Sequence, residues 1–142
     1  GEVEQQRELI KKYSHLPKHL VAPVWHMSLS LDWLLEIANN YDRFCFGSSG
    51  AYWQVGSESW CRRADQAWNE LTKRGFKPWV HMMRGLALCG DIYPFASADS
   101  TNVARNFKNK GSETCPERMA RRIDSIQTPL KWTLKEIQGS LL

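Results

Sequence analysis

At 142 residues the chain has room for one domain with a real core, and 42% hydrophobic with 24% charged residues is ordinary for a globular fold. No apolar run approaches the roughly 18 residues that a membrane span needs, and the first residues are too polar for a secretory signal, so the expected setting is soluble, cytoplasmic and without membrane contact. A net charge of +4 allows nucleic-acid contact, but the basic residues alternate with acids as on solvated helix faces, with local clusters at Arg62-Arg63 and at Arg118, Arg121 and Arg122.

In chain order, residues 2–13 place Val3, Leu9, Ile10 and Tyr13 near one face at helical spacing, with Glu, Lys and Arg on the other; this predicts an amphipathic helix. After the turn around Pro17, residues 20–25 are apolar and β-prone. Ser30 is then placed to cap a helix whose Leu31, Leu34, Leu35 and Ala38 follow the i, i+3, i+4, i+7 rule. Residues 43–46 are a short strand candidate, and 47–50 (Gly-Ser-Ser-Gly) are a loop. Ser57 is placed to cap a helix burying Trp60, Ala64, Ala67, Trp68 and Leu71, with Gly75 at its end. Residues 78–83 predict a third strand running into Arg84-Gly85, and 95–98 a fourth ending at Asp99. Thr101 or Asn102 opens a short helix through Phe107, a polar loop follows, and Thr114 with Glu117 has capping-box spacing ahead of the stripe Met119, Ile123, Ile126. Strands alternating with helices imply an α/β fold of four parallel β-α units in one domain: an N-terminal helix in 1–19, the core in 20–106, and a C-terminal loop and helices in 107–142. Right-handed crossovers place all four strand ends on one edge of the sheet, where α/β folds bind ligands.

At those strand ends the residue types turn chemical. Asp99 stands among Ser97, Ser100, Thr101 and Asn102, whose donors keep a carboxylate ionised for work as a nucleophile, base or oxygen ligand; the competing reading is an Asp capping the following helix. His26 and His81 each follow a strand-like run, as packing residues or as functional ones. Arg84 offers a bidentate donor to a phosphate or purine carbonyl, or pairs with a neighbouring acid. The 47–50 loop lacks the Lys and spacing of a phosphate-binding P-loop. Cys45, Cys61, Cys89 and Cys115 form no CxxC pair and no Cys-His module, so reduced thiols are expected, with no disulfide scaffold, metal or cofactor.

The ordered set Pro23-Val24-Trp25-His26, Phe46-Gly47-Ser48-Ser49-Gly50, Val80-His81-Met82-Met83-Arg84-Gly85-Leu86 and Ser97-Ala98-Asp99-Ser100 resembles the second half of a barrel in the tRNA-guanine transglycosylase-like superfamily, nearest its phage deazapurine DNA-modification branch and related phage proteins. The resemblance spans about residues 20–106. It implies the C-terminal half of a (β/α)8 barrel and base exchange at a ribosyl or deoxyribosyl carbon of a nucleoside or nucleic acid. On that basis Asp99 is the nucleophile and His26 and His81 are acid/base or positioning groups. Ser48, Ser49, Gly50, Arg84, Ser100, Asn102 and Arg105 are the expected substrate contacts. The family's early Asp-Ser/Thr-Gly-Gly-Phe type motif and its cysteine-rich zinc signature are absent from this chain. A half barrel has two unpaired sheet edges, so a second copy or a complementary N-terminal half is the expected partner. Two other classes compete: a non-catalytic, phage-derived protein that binds a host protein or nucleic acid, and a metal-assisted hydrolase using His26, His81 and Asp99.

Overall fold

The computed structural model describes residues 1–85, 92–99 and 131–136. Within them the chain is mixed α/β. Helix α1 (Glu2–Lys12) is followed by strand β1 (Val24–His26), helix α2 (Leu31–Asn40), strand β2 (Arg43–Gly47), helix α3 (Glu58–Lys73), strand β3 (Trp79–Met82) and strand β4 (Ser97–Ala98). The four strands form one parallel sheet in the order β1-β2-β3-β4. The expected helices after Asn102 and Thr114, with Cys89, Cys115 and the Arg118–Arg122 cluster, lie outside the described residues.

Local chemistry sets most element ends. Ser30 and Ser57 accept hydrogen bonds from the backbone N–H groups of Trp33 and Trp60, satisfying orphan donors at the starts of α2 and α3. Helix α3 stops at Gly75, whose φ of 76° only glycine adopts without strain. There Gly75 N–H donates to the Thr72 carbonyl and Phe76 N–H to that of Leu71, closing the helix with paired reverse bonds.

The strands alternate. Trp25, Phe44, Phe46, Val80 and Met82 are buried toward the helices, whereas the intervening Val24, His26, Cys45, His81 and Ser97 are only half-buried on the other face. Helices α2 and α3 pack against each other and supply Trp33, Leu34, Ile37 and Ala38, and Trp60, Ala64, Ala67, Trp68 and Leu71, to this core. Phe46 is its hub, with ring centroids 4.9 Å from Trp25, 5.6 Å from Trp68 and 5.5 Å from Phe95. Full burial of each such ring removes enough apolar area to contribute about 2–3 kcal/mol.

Three expectations need correction. Helix α1 packs Val3 and Ile10 on the core but leaves Leu9 and Tyr13 exposed, because its polar anchor is the Arg7–Glu36 pair on α2, with the guanidinium over Trp33. The first strand starts only at Val24; residues 18–20 form a short 3-10 turn, and Pro23 contributes a carbonyl to Cys45 N–H but has no N–H to give. Phe95 lies ahead of β4, in the core, rather than within the strand.

Candidate functional site

All four strands run the same way, so His26, Ser48, His81 and Asp99 stand at or next to the C-terminal ends of β1, β2, β3 and β4. Ser48, His81 and Asp99 fall into two networks, and His26 stands outside both.

The first group joins β3 to β4. His81 and Ser97 are register partners on the open face, and His81 Nδ1 lies 2.7 Å from Ser97 Oγ. The other ring nitrogen, Nε2, faces Asp99 Oδ2 at 3.4 Å. With its proton on Nε2, the imidazole donates to the carboxylate and accepts from the serine hydroxyl. Asp99 Oδ1 accepts a 2.7 Å hydrogen bond from the backbone N–H of Arg84.

That donor is aimed by an unusual turn: Arg84 has φ 66°, a left-handed conformation costing a residue with a Cβ about 1–2 kcal/mol. Gly85 follows because a Cβ there would fall 2.2 Å from Met82 Cγ. The hydrogen bond from the Arg84 amide holds the Asp99 carboxyl below its ordinary value; burial opposes it with a smaller upward push, and His81 adds a further lowering. Asp99 is therefore an ionised, oriented carboxylate with its side chain 60% exposed. Both oxygens meet β3 and its turn; the helix that Asp99 would cap lies outside the described residues. Cys45, the register partner of His81 on β2, is pushed up by burial and then by the charge of Asp99, so it stays a protonated thiol.

The second group joins β1, β2 and α3. Ser48 Oγ accepts from Trp60 Nε1 at 3.1 Å, which turns it toward α3. Ser49 Oγ accepts from Ser28 N–H and lies 2.8 Å from Ser28 Oγ. Gly50, at φ 55°, passes so close that a Cβ would sit 2.8 Å from Ser28 Cβ. Arg63, read from sequence only as part of a basic pair, reaches in from α3. Its guanidinium donates to the Met27 and Leu29 carbonyls and lies between the rings of Trp25 and Tyr52, at 5.4 and 5.3 Å. Burial lowers its pKa from the ordinary arginine value. These bonds tie the loops after β1 and β2 together.

His26 belongs to neither network. It pairs in register with Gly47, where a Cβ would fall 3.0 Å from Val24 Cγ1 and 3.4 Å from His26 Nδ1, so the glycine makes room chiefly for Val24. Strands β1 and β4 are three steps apart, roughly 14 Å at the usual strand spacing. Hence one chain does not bring His26 to Asp99, and among the described residues no three His, Cys, Asp or Glu side chains converge as a metal site would require. The expected contacts Ser100, Asn102 and Arg105 lie outside the described residues.

Sequence reasoning missed two roles. It singled out Arg84 for its guanidinium, whereas the Arg84 backbone makes the bond to Asp99. It counted Ser97 as a donor to Asp99, whereas the hydroxyl meets His81. The i, i+2 spacing of Ser97 and Asp99 on one strand face was the available signal for a side chain seated between them. No family model, curated protein or solved structure matches the chain.

Proposed function

We propose that the chain carries the nucleophile-bearing part of a glycosyl-transfer site that exchanges a base on a ribosyl or deoxyribosyl carbon of a nucleoside or nucleic acid. The supporting observation is the ionised, exposed Asp99, fixed by the Arg84 N–H and by His81 at the C-terminal end of a parallel sheet. In this reading the sheet is the second half of a (β/α)8 barrel, in keeping with its strand order and its packed α2 and α3.

Asp99 attacks the anomeric carbon, the carbon–nitrogen bond to the base breaks, and the departing base takes its electron pair and a proton from water. An incoming base then attacks the same carbon of the sugar–aspartyl ester, the carbon–oxygen bond breaks, Asp99 leaves as a carboxylate, and the proton of the incoming base passes to water. His81 keeps one carboxylate oxygen in place through its bond to Ser97. The exposed Arg84 side chain stands beside the carboxylate to meet a purine carbonyl or phosphate.

The test is intact-mass detection of a sugar adduct after incubation with purine nucleosides or an oligonucleotide, alone and with a separately supplied N-terminal barrel half. An adduct in wild type and none in Asp99→Asn is expected. Absence of an adduct and of nucleoside binding under both conditions removes the catalytic reading. The non-catalytic alternative, a protein binding a host protein or nucleic acid, is favoured by the apolar side chains of Leu9, Tyr13, Leu16 and Leu20 exposed beside β1. A metal-assisted hydrolase is the weaker alternative, since His26 stands apart from His81 and Asp99.

A further inference from the structure

Two candidate residues that one chain holds apart lie on its opposite sheet edges: His26 ends β1 at one edge and Asp99 follows β4 at the other. Cys45 N–H donates to the Pro23 carbonyl and Met27 N–H to that of Gly47, so by ladder alternation Val24 and His26 direct their backbone amides away from β2. At the far edge Asp99 N–H donates to the Met82 carbonyl, so by the same alternation Ser97 and Asp99 turn their backbones toward β3 and Ala98 directs its backbone amide away from it. Among the described residues no strand pairs with either edge.

The β1 edge is also where apolar side chains are left uncovered. Leu9, Tyr13, Leu16 and Leu20 are 50%, 44%, 39% and 67% exposed and line a groove of about 400 Å³ between α1 and β1 that reaches Val24 and His26. Unpaired amides beside exposed aliphatic side chains are the surface that a further strand and its covering residues would bury.

We propose that the occupant is a second copy of this chain, joined by a two-fold axis so that β4 of each copy pairs in parallel with β1 of the other, and that the partner subunit's His26 thereby completes the site around Asp99. Each copy carries both edges in matching polarity, so one rotation pairs the four sheet edges that the described residues of two copies present and leaves none of them for further growth. Two sheets of four give eight parallel strands, the number at which inward side chains fill a barrel, and Val24, Cys45, His81 and Ser97 form such an inward row. Each Asp99 then faces His81 of its own chain on one side and His26 of the partner subunit on the other. The site named here rests on reading Asp99 as the reacting carboxylate, but the tests need no substrate, so failure of base exchange and failure of this assembly are read separately.

Sedimentation equilibrium of the full chain tests the assembly. Wild type is expected to be a dimer in the micromolar range, and Leu20→Asp and Val24→Pro each to weaken dimerisation at least tenfold. Proline is tolerated on a strand edge whose N–H is unpaired, and Leu20 is exposed, so unchanged circular dichroism is expected of both monomers. A wild-type monomer at high micromolar concentration, a dimer that withstands both substitutions, or open-ended growth with concentration would each overturn the proposal. The shared site is read by the His26 ring resonances. They should move on Asp99→Asn in the dimer and stay put when the same change is made in the Leu20→Asp chain; resonances unmoved in the dimer would exclude the partner's His26 from the site.

Discussion

The loop after β2 and the turn after β3 look alike in sequence, each passing from an apolar strand through glycine and polar residues, yet they use those residues in opposite ways. After β2, the hydroxyls of Ser48 and Ser49 are engaged by Trp60 and Ser28, and Arg63 binds the carbonyls of Met27 and Leu29; the polar groups hold protein to protein. After β3, a strained Arg84 and a tightly packed Gly85 direct one N–H at a carboxylate that remains open to solvent. Partners, rather than residue type, separate a structural knot from an exposed, charged strand end.

The sharpest way to break this contrast is Asp99→Asn. Base exchange should fall by roughly four orders of magnitude or more, as for loss of a nucleophile, while stability changes by no more than about 0.5–1 kcal/mol, the range for an exposed position. Denaturant unfolding alongside the exchange assay checks both halves; a large stability loss would move Asp99 into the structural class. Next comes Gly85→Ala, expected to destabilise by about 1–3 kcal/mol because the new methyl overlaps the buried Met82, and to disturb the Arg84 amide with it. Ser48→Ala should cost about 1–2 kcal/mol, measured by urea unfolding, for the Trp60 N–H left without a partner. Lost nucleoside affinity at unchanged stability would instead assign Ser48 to ligand.

The smallest effect is in pH. The Asp99 carboxyl titrates below its ordinary value in the fold, so its stabilisation is complete above the unfolded-state value near pH 3.9 and is lost as pH falls through the lower folded value. Wild type and Asp99→Asn should thus show the same stability change from pH 7 to 5 and diverge only below about pH 4. Divergence near neutrality would mean that the carboxyl is not held ionised by Arg84 and His81.

Much of the scaffold was legible because its determinants are local. Ser30 and Ser57 precede their helices by one residue, Gly75 follows α3, and the buried face of α3 repeats every three or four positions. The parallel order and the strand ends carrying His26, His81 and Asp99 followed from alternation of strand and helix. Arg63, by contrast, meets carbonyls 34 and 36 residues upstream, and Asn69 meets Trp132 and Lys135, 63 and 66 residues downstream. No local periodicity encodes such pairings. Arg84 was legible as a residue but not as a contact, because a backbone donor leaves no signature in side-chain identity.

Asn69 is the one buried polar side chain among the described residues, and residues 131–136 are what it binds. Its amide donates to the Lys135 carbonyl and accepts from Lys135 N–H and Trp132 Nε1, while Trp132 stacks on Tyr93 and Lys135 reaches Asp65. The β-α units can assemble as they leave the ribosome, since each needs only its near neighbours in sequence. This latch cannot: until residue 135 has been synthesised, Asn69 lacks its partners and the Tyr93 ring lacks its cover. Arrival of residues 132–135, rather than formation of the sheet, is therefore the event that covers Asn69 and Tyr93, and a translation product stalled before them would leave both uncovered.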